Sequence, residues 1–126
     1  MQRQAIVFVF IEDGTLEVVG SIEEAERNYE GIDVESEVFT FFDASGTYLK
    51  PTFTKPNRGG SFLGLFSWAE SGEYRLAPSH EGGEDIALFL FEAAELKPNP
   101  WFQSLAEVKD FLARGSGAGE TRRAPE

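Results

Sequence analysis

With 126 residues, 41% of them hydrophobic and 26% charged, the chain is long enough for one domain with a real core, since a domain of this size buries roughly two thirds of the surface its unfolded chain exposes. A net charge of −11 is repelled by anionic headgroups and phosphates, which disfavours membrane and nucleic-acid partners. The absence of cysteine excludes disulfides and thiolate metal sites. The longest apolar run, Ala5–Ile11, is far below the roughly 20 residues of a membrane span and too short for a signal segment, so the cytoplasm is the expected location.

In chain order, Ala5–Ile11 is β-branched and aromatic without a polar face, which predicts a central strand covered on both sides. Glu12-Asp13-Gly14-Thr15 supplies a tight turn, and Leu16–Val19 alternates as the returning antiparallel strand. Ser21-Ile22-Glu23-Glu24 matches a capping box and opens a helix from about Ile22 to Glu30, with Ile22, Ala25 and Tyr29 as its apolar stripe. Gly31 is read as the left-handed stop, with Ile32 folding back onto the last turns. Val38–Phe42 and Thr47–Leu49 form a second hairpin around Asp43-Ala44-Ser45-Gly46. Pro51, which cannot donate to a ladder, places Lys50–Thr54 at an edge or bulge. Lys55–Ser61 reads as an exposed loop, and Phe62–Trp68 with Glu73–Leu76 reads as a third hairpin around Glu70-Ser71-Gly72.

From Glu84 the pattern turns helical through Ile86, Phe89, Leu90, Ala93 and Leu96, until Lys97-Pro98-Asn99-Pro100 breaks it. Ser104-Leu105-Ala106-Glu107 is a second capping box, opening a helix through Val108, Phe111 and Leu112 to a stop at Gly115. Residues 116–126 carry no apolar anchor and are read as a disordered tail after a single domain, 1–115. The sum is an α+β fold: an antiparallel sheet of about six strands built from hairpins, with about three helices packed against it and the strand order left open.

The chemistry-bearing residues are few. His80, the only histidine, lies in the polar Pro78–Gly83 loop and is read as a solvated residue rather than a triad member, since triad members are normally spread through the chain. One histidine and no cysteine exclude a histidine or cysteine metal cluster, and neither aspartate-containing turn has calcium-loop spacing. Lys55–Ser61 lacks the spacing of a phosphate loop. No cofactor is therefore expected. A carboxylate pair in a cleft, or His80, would be the means of an enzyme, which is one alternative. Trp68 is read as core or a cover for Gly64. Trp101-Phe102 beside a rigid turn is read as a staple for the last helix, with an interface anchor as the second reading.

The charge is uneven. Eleven acids between Glu12 and Asp43 face Arg27 alone, ten of the eleven net negative charges, whereas Ala44–His80 is mildly basic. Such a localised field steers association with a basic partner. Ser21-Ile22-Glu23-Glu24-Ala25, Tyr29-Glu30-Gly31-Ile32-Asp33-Val34-Glu35 and Phe42-Asp43-Ala44-Ser45-Gly46 together resemble small bacterial proteins that include immunity proteins of polymorphic or contact-dependent toxin systems. The resemblance covers the first half of the chain and transfers no functional residue. It implies stoichiometric neutralisation of a toxin domain, with acidity matched to a basic nuclease. The expected function is thus an acidic protein-binding module, with Glu23, Glu24, Glu26, Glu30, Asp33, Glu35 and Glu37 steering and Trp101 anchoring. A homodimer or scaffold is a further alternative.

Overall fold

The structure, a computed structural model, describes residues 5–62, 66–80 and 84–120, and within them the side chains of all but 61–62, 66–68 and 115–120. The elements run β1 (Val7–Ile11), β2 (Thr15–Val19), α1 (Ile22–Asn28), α2 (Gly31–Glu35), β3 (Phe39–Asp43), β4 (Tyr48–Lys55), β5 (Arg58–Phe62), β6 (Phe66–Glu70), β7 (Glu73–Pro78), α3 (Ile86–Glu92), β8 (Glu95–Leu96) and α4 (Leu105–Glu120). Six strands form one sheet in the order β7-β4-β3-β1-β2-β8, and β5 and β6 form a separate two-stranded ribbon. The fold is α+β, as the strand and helix patterns require.

β1 lies inside the sheet, between β2 and β3, and alternation divides its side chains between two cores. Ile6, Phe8 and Phe10 pack with Leu16, Val18 and Phe42 against Leu90, Phe102, Val108 and Leu112. Val7 and Val9 pack with Val19, Phe41, Leu49, Tyr74 and Leu76 against Ala25, Tyr29 and Val34. The sheet is therefore sandwiched, with α3 and α4 on one face and α1 and α2 on the other. Burial of each large side chain stabilises the fold by about 1.5–3 kcal/mol, which explains why the central strand has no polar face.

Both N-terminal caps form. Ser21 Oγ accepts from Glu24 N–H at 3.0 Å and Ser104 Oγ from Glu107 N–H at 3.1 Å. The reciprocal carboxylates reach one residue further back than the usual box, to the N–H groups of Gly20 and Gln103. Pro51 stands opposite Leu76, beyond the last β3–β4 pair at Leu49, so its missing donor costs no ladder bond.

Four local expectations are corrected. The first helix ends at Asn28, and Gly31 opens α2 instead of stopping α1. A Cβ on Gly31 would lie 2.7 Å from Asn57 Oδ1 and 3.1 Å from a Phe53 ring carbon, so close packing rather than a left-handed turn favours glycine there. Lys55–Ser61 is strand apart from Pro56-Asn57, because β4–β5 and β6–β7 run as a long bent hairpin with Arg58 opposite Glu70. Leu96 leaves the helix for β8, which pairs parallel with β2 and makes the sheet mixed at that edge. The last helix runs past Gly115 to Glu120. Trp68's side chain and Gly64 lie outside the described residues.

Candidate functional site

An open hollow of about 750 Å³ is lined by α1 and by β7, the strand at one edge of the sheet. Glu23, Glu26, Glu30 and Glu73 line it with Arg27 and Arg75, over a floor that includes Ile22, Tyr74 and Leu76. The helix stripe read from sequence creates this arrangement. Ala25 and Tyr29 turn into the sheet, and Glu23, Glu26 and Glu30, at neighbouring positions, are carried to the flank and rim.

The acids differ in what they already do. Glu26 Oε2 accepts from Leu76 N–H at 2.7 Å, so this carboxylate terminates the sheet edge. Glu24 is committed to the Gly20 N–H at 3.0 Å. Glu35 accepts from Asn57 Nδ2 at 2.7 Å. Glu23 and Glu30 are exposed on the groove, while Asp33 is half-buried away from it. Glu37, at φ 63°, is exposed beside a second hollow of about 300 Å³ that Glu35, Lys50 and Glu84 also line. Of the eight expected residues, the fold brings Glu23, Glu26 and Glu30 together. Trp101 belongs to the opposite layer, half-buried against the first core with its ring over Gly20.

Two tyrosines tie the groove floor to the core. The Tyr29 hydroxyl donates to Glu17, which also pairs with Lys97 at 3.2 Å. The Tyr74 hydroxyl donates to Tyr29 O at 2.8 Å. Burial, then the hydrogen bond and charge of Glu17, push the Tyr29 phenol well above its ordinary value. Burial and then the Glu26 charge do the same to Tyr74. Both act as fixed neutral donors over the ordinary pH range.

The other chemical candidates are sparse. His80 is exposed and lines a hollow of about 270 Å³ with Ser79, Thr47, Tyr48 and Glu84. Among the described residues, no group of three or more His, Cys, Asp or Glu is placed to hold a metal ion, and no helix is long and apolar enough to cross a membrane.

One surface was not read from the sequence. α3 has the sequence Ile-Ala-Leu-Phe-Leu-Phe-Glu. Ile86, Phe89 and Leu90 pack inward, while Leu88 and Phe91 are 64% and 86% exposed, the large hydrophobic side chains that stand out among the described residues. The available signal was a helix with apolar residues on every side, since such a helix is normally covered all round.

No family model matches this chain, and no match was found among curated proteins or solved structures.

Proposed function

We propose that this chain is a small acidic protein-binding module that neutralises a basic partner by direct association, as toxin immunity proteins do, acting in the cytoplasm. The observation that carries the reading is the groove between α1 and β7, where Glu23, Glu26, Glu30 and Glu73 outnumber Arg27 and Arg75. Carboxylates gathered on an open concave surface focus a negative field, which speeds encounter with a basic surface and discriminates against acidic ones. The toxin-neutralising role draws further support from the sequence resemblance and from the net charge of −11.

Glu23 and Glu30 are the residues to test, because Glu24 and Glu26 hold backbone donors and their loss would disturb the fold. Proteins retained by the immobilised chain at low salt would be identified, and association rates measured with the wild type and with Glu23→Gln/Glu30→Gln. The reading expects a basic partner whose association slows with ionic strength and falls about tenfold in the double variant, in keeping with electrostatic steering. Association insensitive to both salt and the two substitutions would sink it.

A further inference from the structure

We propose that the outer face of α3 is a second docking surface, built for a protein segment that presents a large apolar side chain flanked by lysine or arginine. The inference goes beyond the groove, which lies on the other face of the sheet, and does not depend on it. α3 contains no polar residue between its N-cap Asp85 and Glu92. Its inward side is satisfied by the core, where Phe89 packs against Phe10 and Phe42 with ring centroids 5.5 Å apart in each case. Leu88 and Phe91, three residues apart, share the outward side and project into solvent. Single exposed apolar residues are ordinary, but two large ones on an otherwise apolar helix are the signature of a covered surface.

The charges around this face choose the occupant. Glu84 and Asp85 precede α3, Glu92 ends it and Glu95 follows, all exposed, with no lysine, arginine or histidine between Glu84 and Leu96. The β1–β2 turn adds Glu12 and Asp13, since Ala94 N–H donates to Gly14 O at 2.8 Å and both acids share a hollow with Phe89 and Glu92. A second copy docking through the same face would set this acidic border against itself, and like charges across an interface are strongly disfavoured. A partner with an apolar anchor and a basic border meets both requirements. Phe91 would supply the central buried contact and the carboxylates the polar rim.

The test is selection of a displayed random-peptide library on the full-length chain, with binding of the enriched peptides compared between the wild type, Leu88→Ala/Phe91→Ala and Glu23→Gln/Glu30→Gln. The expected result is enriched sequences combining an aromatic or long aliphatic residue with lysine or arginine. Their affinity should fall at least tenfold in the Leu88/Phe91 variant, weaken with salt and be unchanged in the groove variant. Peptides that bind the Leu88/Phe91 variant equally, enriched sequences without basic residues, or no enrichment would overturn the proposal. So would a dimer in sedimentation that Phe91→Ala dissolves, because the occupant would then be a second copy. Circular dichroism and thermal unfolding of each variant check that the fold is intact. Loss of binding in the groove variant alone would support the groove and not α3, so the two readings fail separately.

Discussion

The side chain of Glu26 and the backbone of Leu76 are joined across 50 residues of chain, with Glu26 Oε2 accepting the Leu76 N–H at 2.7 Å. Leu76 lies in β7, whose other side pairs with β4, so this N–H points to the open edge of the sheet. An unpaired edge is a template for unwanted strand pairing, and a charged side chain placed on it is one of the standard protections. Glu26→Ala is expected to cost about 1–3 kcal/mol, the loss of a charge-assisted hydrogen bond. It should also speed hydrogen exchange at the Leu76 amide and raise the tendency to aggregate. Glu26→Gln retains an acceptor and should lose less than half as much. Equal effects of the two substitutions, measured by urea unfolding, would show that the contact is not what holds this edge.

Stability should fall steeply at alkaline pH. The Tyr29 and Tyr74 phenols are raised above the ordinary value of 10.0 by burial and neighbouring carboxylates, so the folded chain keeps protons that the unfolded chain releases. Their contribution is fully present below pH 10 and is lost as pH rises towards the folded values. Above pH 10 each contributes a slope of about −1.4 kcal/mol per pH unit. Urea unfolding between pH 9 and 11.5 should show this loss, to which Tyr48, raised in the same direction by burial, also contributes, and Tyr74→Phe should remove one of these contributions together with the hydrogen bond to Tyr29 O. An unchanged slope in Tyr74→Phe would mean that its hydroxyl titrates normally.

Gly72 is the most closely packed of the described glycines. A Cβ there would fall 1.9 Å from the Lys55 carbonyl oxygen and 2.6 Å from Pro56 backbone atoms, none of which is a flexible side-chain end. Its N–H donates to Asn57 Oδ1 at 2.7 Å, and Asn57 Nδ2 donates in turn to Gly31 O at 2.9 Å. Gly72→Ala must therefore separate the two strands at the bend and disturb the link to α2. A loss of about 3 kcal/mol or more is expected, at the upper end of overpacking effects. Ser71→Ala, one residue away and exposed, is the control and should be near neutral in thermal unfolding.

What the sequence made legible was local chemistry. The turns at Gly14 and Gly46, both at positive φ, and the caps at Ser21 and Ser104 depend on residues within four positions of one another, and each formed as read. The misreadings share a different cause. Gly31 is packed closely by Phe53 and Asn57, β8 exists because β2 lies beside it, and Lys55–Ser61 is strand except at Pro56-Asn57 because β6 and β7 return along it. Such long-range partners override local propensity and leave no local mark. The same limit applied to the site. The excess of acids was visible, but the commitment of Glu24, Glu26 and Glu35 to intramolecular donors was not. The spacing of Ile86, Phe89 and Leu90 identified the buried side of α3 and concealed that Leu88 and Phe91 had nowhere to be buried.

Two phenylalanines separated by one residue should therefore respond oppositely to truncation. Phe89 is half-buried against the Phe10 and Phe42 rings, and Phe89→Ala removes those contacts and leaves a cavity, at an expected cost of about 3 kcal/mol. Phe91 is 86% exposed, and Phe91→Ser replaces it with a residue of similar helix propensity, so stability should stay within about 0.5 kcal/mol. Solubility should rise as the apolar face shrinks. Urea unfolding of the two variants side by side decides the matter. A large loss for Phe91→Ser would place that ring in the fold rather than at a docking surface, whereas a neutral result leaves the ring free to serve a partner.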